Sequence, residues 1–372
     1  MVAPDGLRAQ VPPEWFDRYG ARIENYHLPK TDATRQALAA TIGADGRQLL
    51  QAEETATDLP WLREIPAVKI VRDVWAEQST DPPGPLRWRE MHEMPAPADL
   101  IASPDDLEAR YSTKRSSAWV GYQVHITETC DPEHPHLITN VETTPATTPD
   151  DNMAAVIHAS LAPRDLLPQE HLVDKGDTDA DMLVASQHEY GVTIVGPVAD
   201  DPSWQARAGE GFDKSQFLVD GEHQVVTCPM GKQSISWWPN TYPQNGLVWE
   251  VRFARRDCTL CVHRSQRTKA KQEPRILGLQ AREPHEALQA ARQYQTTDVF
   301  RRQYAARAGI EGTHEQAIRR CGLRQSRYIG LAKTHLQHII TATALNVVRV
   351  AAWLERTPQA KTRRSTFAAL AA

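Results

Sequence analysis

The rhythm of hydrophobic and polar positions divides this chain into stretches of different character. Residues 1–100 read as helix and loop: Trp15, Phe16 and Tyr19, then Leu38 among alanines, have helical character, and Pro82, Pro83, Pro85, Pro95 and Pro97 break the chain. Residues 118–127 carry Trp119, Val120, Tyr122, Val124 and Ile126 in partial alternation, which predicts a strand. Residues 136–144 are a second strand candidate, and the turn cluster Cys130-Asp131-Pro132-Glu133 between them suggests an antiparallel pair. Asp150 and Asp151 stand where they can cap a helix over 153–161. A short apolar strand then ends on Asp174, a helix follows over 180–190, and a strand over 192–197. The order strand, strand, helix, strand, helix, strand defines a mixed α/β arrangement over 101–199.

Residues 200–285 read as a β-rich insertion, with strands at 217–220, 224–227 and 247–253. Trp204, Trp237, Trp238 and Trp249 fit its core better than a base-stacking surface. From 286 to 372 the pattern is helical: a helix ending near Tyr304, a basic segment, then a helix over 331–354.

Charge sharpens this division. The net charge of −5 conceals 23 Lys and Arg against 8 Asp and Glu in 251–372, which leaves 19 of the 42 basic and 39 of the 47 acidic residues to 1–250. A basic block behind an acidic body suggests a polyanionic partner. No apolar run approaches a membrane span, and the first residues are no signal peptide. Five scattered cysteines form no disulfide framework, so a reducing, cytoplasmic setting is expected.

The candidate chemistry lies on three segments. Tyr304, Arg307 and Glu311 are spaced by three and four, so on a helix they share one face: a phenol, a guanidinium and a carboxylate suited to phosphate and a divalent cation. The bland alternative for Glu311 is a solvated helix glutamate paired with Arg307. Asp174, followed by Lys175-Gly176, is either a strand-end acid facing a cleft or a turn aspartate before glycine. Cys258 and Cys261 have metal spacing and Cys228 could add a third ligand, against the alternative of three reduced cysteines. Arg319, Arg320, Arg324, Arg327, Tyr328, Lys333 and His335 read as a phosphate-contacting face or a solvated basic one.

Taken in order, Trp119-Val120-Gly121-Tyr122, Asp174-Lys175-Gly176, Cys228-Pro229-Met230-Gly231, Cys258 with Cys261, and Tyr304, Arg307 and Glu311 resemble the DDE transposases of bacterial insertion sequences, in the group with a Tyr-Arg-Glu-Lys signature. The resemblance implies a ribonuclease-H-like mixed sheet with a β-rich insertion and helical flanks. It implies Asp174 and Glu311 as catalytic carboxylates holding Mg²⁺ or Mn²⁺, and a zinc-type cluster at Cys228, Cys258 and Cys261. Tyr304, Arg307, Arg319, Arg320, Arg324, Arg327 and Lys333 are then expected on double-stranded DNA, at element ends and target, with a homodimer assembled on it. Cleavage of the ends and strand transfer would be the activity.

The chain departs from that pattern at four places. The signature lysine would fall at Ile318, whereas the basic residue is Arg319, turned away by about 100°. Asp177 stands where the family has tyrosine, and Arg267 where it has a fourth cysteine. No Asp-Ser-Thr motif supplies a first acid, so the expectation is a chain starting beyond the sheet's first strand, with impaired chemistry. The competing expectations are a DNA-binding or regulatory remnant, and a nuclease in which Asp150 or Asp151 replaces the missing acid.

Overall fold

The computed structural model describes residues 11–20, 29–55, 60–80, 87–114, 116–150, 153–242 and 246–357. It divides into two units, the first comprising Met1–Gln123, Thr144–Thr148 and Tyr328–Leu331, the second Val124–Thr143, Pro149–Arg327 and Ala332–Ala372.

The first unit begins with helices α1 (Pro13–Tyr19), α2 (Asp32–Thr55) and α3 (Pro66–Gln78). Proline opens both α1 and α3, where its missing N–H costs nothing. Gly46 allows α2 and α3 to meet: a Cβ there would fall 2.0 Å from the Trp75 ring. Trp75 packs on Trp88 at 6.3 Å between ring centroids, at the short ribbon β1 (Ser79–Thr80) and β2 (Arg87–Trp88). Strand β3 (Arg110–Lys114) pairs antiparallel with the first half of β4 (Ser117–Glu128). Asp106 accepts from the Tyr122 hydroxyl at 2.8 Å and from the Gly330 N–H at 3.0 Å. Burial alone would raise its pKa, but these hydrogen bonds outweigh burial and lower it.

In the second unit the far half of β4 lies beside β5 (Ile138–Pro145). Then come α4 (Met153–Leu161), β6 (Glu170–Leu172), α5 (Ala180–Tyr190) and β7 (Thr193–Val195), in the order expected from the sequence. Strands β6 and β7 run parallel, His171 opposite Ile194. Asp179 starts α5 by accepting from the Met182 N–H at 2.7 Å, and Gly191, at φ 68°, ends it in the left-handed conformation that glycine tolerates. The fold is mixed α/β with several small sheets: β3-β4-β5 and β6-β7 are separate ladders among the described residues, not one continuous sheet. Strands of three residues, as β6 and β7 are, offer few ladder positions to a third neighbour.

Between β7 and the C-terminal helices lie α6 (Trp204–Ala208), β8 (Leu218–Asp220), β9 (Val225–Thr227), β10 (Ser234–Tyr242), β11 (Gly246–Phe253), α7 (Arg255–Thr259), α8 (Arg264–Arg267) and β12 (Ile276–Leu279). The antiparallel sheet β10-β11-β12 carries an apolar core of Phe217, Val226, Val251, Phe253, Leu277 and Leu279, against which Trp237 and Trp249 pack. Helices α9 (Arg282–Tyr294), α10 (Asp298–Tyr304), α11 (Gly309–Cys321) and α12 (Leu331–Leu354) complete the unit. The single helix expected up to Tyr304 is broken before Asp298, where the Thr297 hydroxyl accepts from the Phe300 N–H at 3.1 Å and starts a new helix. A second core of Ile138, Ala317, Leu323, Ala342 and Leu345 joins β5, α11 and α12. No described helix is long and apolar enough to cross a membrane.

Candidate functional site

Asp174 emerges just past the C-terminal end of β6. The parallel pairing continues through the Val173 N–H, which donates to the Val195 carbonyl at 3.0 Å. In parallel α/β arrangements ligands meet the carboxyl ends of strands, and Asp174 sits at such an end. Its Oδ1 accepts from the Lys175 N–H at 2.9 Å, which starts a short 3₁₀ turn, Lys175–Asp177. Gly196 keeps the strand ends close: a Cβ there would lie 2.8 Å from Thr178 Cγ2 and 2.9 Å from the Val173 carbonyl oxygen.

Arg307 and Glu311 approach from α11 and the 3₁₀ turn before it, Ala305–Ala308. Between Tyr304 and Glu311, where helical spacing would put the three side chains on one face, the chain takes one 3₁₀ turn. The spacing still delivers both side chains to one place. Arg307 Nη2 lies 3.3 Å from Asp174 Oδ2, and its Nη1 lies 3.7 Å from Glu311 Oε1. Asp174 and Glu311, far apart in sequence, thus share one guanidinium. Both carboxylates are largely exposed, at 67% and 73%, so these pairs contribute little to stability. Tyr304 instead stacks on Phe300, with ring centroids 5.3 Å apart and planes at 8°.

Two further groups were not legible in the sequence. His314 lies one turn beyond Glu311 on α11. Burial holds its pKa below the usual range, while the carboxylates of Glu311 and Glu128 pull the other way. Glu128, at the end of β4, accepts from Arg349 Nη1 at 2.9 Å and from the Thr313 hydroxyl at 2.5 Å. Arg349 also donates to the His136 carbonyl at 2.7 Å. This buried network pins the first turns of α11, which carry Glu311, to β4 and α12. Neighbour spacing along the chain gave no signal for it, because its partners are distant in sequence.

Arg319, Arg320, Arg324, Arg327 and Lys333 are all exposed. Arg319 pairs with Glu315, whereas none of the other four draws a carboxylate among the described residues. Tyr328 is exposed as well.

Two carboxylates turned toward one cationic group are a hard-oxygen pair, which fits Mg²⁺ or Mn²⁺ completed by phosphate and water. Among the described residues, however, no three His, Cys, Asp or Glu side chains gather to hold a metal. Asp150 does not join the pair; it lies 4.0 Å from His125 Nδ1, and Asp151 falls outside the described residues. The cysteine cluster is not assembled either. Cys228 and Cys258 are buried in the core of the β-rich part, and Cys261 is half-buried. Arg267 is itself buried and donates from Nη2 to the Cys258 carbonyl at 3.0 Å, so a guanidinium fills this corner. A cleft of about 610 Å³, lined by Glu170, His188, Glu283 and Phe300 among others, includes neither carboxylate of the pair.

The arrangement is that of an α/β protein with two acids gathered on an arginine and an open basic surface, a setting for phosphate chemistry. A family model described as "Transposase DDE domain" matches residues 227–351, less than half of the chain, which include Arg307, Glu311 and the basic residues but not Asp174. The match supports a DDE-type transposase and, in general terms, a function in transposition. No curated protein and no solved structure matches the chain.

Proposed function

We propose that this chain is a DDE-type transposase that binds double-stranded DNA at element ends and carries metal-dependent phosphoryl-transfer chemistry at Asp174 and Glu311. The observation that supports this most directly is Arg307, whose guanidinium faces both carboxylates at once. Asp174 and Glu311 would hold Mg²⁺ or Mn²⁺. The metal, when bound, would supply charge stabilisation at the scissile phosphate. Arg307, displaced from the acids, presents its fork to a phosphate oxygen. Arg320, Arg324, Arg327 and Lys333 neutralise backbone phosphates and so set position on the duplex, without reading sequence. His314 stands beside Glu311, with its pKa lowered by burial. The ribonuclease-H-like sheet and the cleavage and strand-transfer steps belong to this proposal.

With two carboxylates rather than three, the clamp on attacking and leaving oxygens is incomplete, and turnover is slow. The absence of a third acid from the pair, among the described residues, also favours a second reading: a DNA-binding protein that does not cut. Nicking of supercoiled plasmid with Mn²⁺ separates the two. The first reading expects slow nicking that both Asp174→Asn and Glu311→Gln abolish while duplex binding persists. Wild-type protein that binds duplex but never nicks supports the second; nicking that survives both substitutions overturns the assignment of the acids.

A further inference from the structure

Segment 199–208, the short turn Lys214–Gln216, helix α9 and the residues leading into β12 bring cations together in the second unit. Lys214 donates from Nζ to the Gly278 carbonyl of β12 at 3.0 Å. Arg275, just before β12, donates from Nη1 to the Arg267 carbonyl at 2.8 Å, and Gln205 of α6 donates to the same carbonyl at 2.9 Å. Arg292 of α9 donates from Nε and Nη2 to the Ala199 carbonyl, at 3.0 Å each, two residues before Asp201. Arg267 in turn donates to the Cys258 carbonyl. Every one of these contacts is with a neutral carbonyl. None of the four cations forms an ion pair among the described residues.

Charge in this region does not balance. Arg267 is 3% exposed, and Lys214, Arg275 and Arg292 are half-buried. Burial holds the Lys214 ammonium below its usual range; Arg275 and Arg292 push the same way, and Asp201 alone opposes. Burial lowers Arg275 too, with Arg267 adding to it and Asp201 again alone against. His285 of α9 is lowered by burial, then by Lys214 and Arg292, against Glu286. The carboxylate of Asp201 is itself shared, since its Oδ1 accepts from the Ser203 N–H at 2.9 Å. The Nε atoms of Arg267 and Arg275 are buried and have no hydrogen-bond partner. A buried donor without a partner calls for an acceptor, and gathered like charges call for an opposite one. A tetrahedral oxyanion answers both, and guanidinium forks beside an ammonium suit its geometry.

We infer that Lys214, Arg267, Arg275 and Arg292 form a binding site for a phosphate group, supplied by free inorganic phosphate or by a DNA strand. The site uses neither Asp174 nor Glu311, nor the exposed basic residues of 319–333, so it stands apart from the proposed chemistry. The test uses the full chain, with sodium phosphate compared against sodium chloride at equal ionic strength. Phosphate at ten times its dissociation constant should raise the melting temperature by about 3 °C. Lys214→Met should abolish that shift, whatever its own melting temperature in chloride; a merely structural lysine would lower the melting temperature and leave the shift intact. Asp201→Asn removes the opposing charge, keeps an oxygen for Ser203, and should tighten phosphate binding several-fold in a calorimetric titration. If free phosphate gives no shift but Lys214→Met weakens duplex binding and lowers its salt dependence, the strand is the source. A phosphate shift that survives Lys214→Met, or binding that Asp201→Asn weakens, overturns the inference. So does a wild type with no phosphate shift whose duplex binding Lys214→Met leaves unchanged. Should Lys214→Met not fold, Asp201→Asn decides alone: affinity for phosphate or duplex must rise, and unchanged affinity for both overturns the site.

Discussion

Replacing Arg349 by leucine should unfold the region around Glu311 more readily than its distance from the candidate site suggests. The side chains of Glu128 and Arg349 are 6% and 15% exposed. Removing the guanidinium leaves a buried carboxylate whose remaining donor is the Thr313 hydroxyl, and it orphans the His136 carbonyl. Breaking a buried pair from one side costs about 3–5 kcal/mol, most of it the uncompensated charge. With a urea slope of about 2 kcal/mol per molar, the unfolding midpoint should fall by roughly 2 M. Urea unfolding followed by far-UV circular dichroism measures this, and hydrogen exchange at the α11 amides shows whether the loss reaches Glu311. The double variant Glu128→Gln, Arg349→Leu removes the charge as well and should recover at least half of the loss. A single variant that loses less than about 1 kcal/mol, the range of an exposed pair, would mean that the pair is not effectively buried. A double variant no better than the single one would mean that the stranded charge is not the source of the loss.

Acid should weaken the second unit through the half-buried His171 and the buried His338. Burial lowers His171 to about 4 and His338 to about 4. Since the unfolded chain takes up these protons first, stability is complete above about pH 6.5 and falls as the pH drops toward 4. Melting temperatures from neutral to mildly acidic pH should show this, with a shallower fall in His171→Gln; a slope unchanged by that substitution counts against it. Gly196→Ala should cost about 1–3 kcal/mol by overpacking against Val173 and Thr178, and should reduce metal-dependent nicking with it, since those residues position Asp174. Normal stability in that variant would mean the strand ends can part freely. Arg320→Ala, Arg324→Ala and Arg327→Ala combined should weaken duplex binding and flatten its salt dependence by up to about 0.9 in log–log slope for each phosphate no longer neutralised. An unchanged slope would leave these arginines as solvated charge.

Local pattern made much of the second unit legible. The order of strands and helices from β4 to β7 followed from apolar runs and turn residues. What escaped had weak local marks. Strand β10 contains Pro239, which argues against a strand, yet it pairs with Trp249 across the hairpin. The break before α10 carries neither glycine nor proline, only the capping Thr297. At the site, the spacing of Arg307 and Glu311 foretold their common face. That Asp174 joins them came from resemblance, because it depends on a contact across more than a hundred residues. Glu128 and Thr313 were invisible for the same reason. The cysteine spacing pointed to a metal cluster, whereas packing placed two of the three cysteines in an apolar core and a buried arginine beside them.

The proposed chemistry turns on Asp174 and Glu311 acting together on one divalent cation. Calorimetric titration of the full chain with Mn²⁺, in the presence of duplex DNA, measures this without relying on turnover. One saturable site is expected in the wild type, lost in both Asp174→Asn and Glu311→Gln, with circular dichroism unchanged. Equal Mn²⁺ affinity in the wild type and both variants would rule out a shared cation at these two acids.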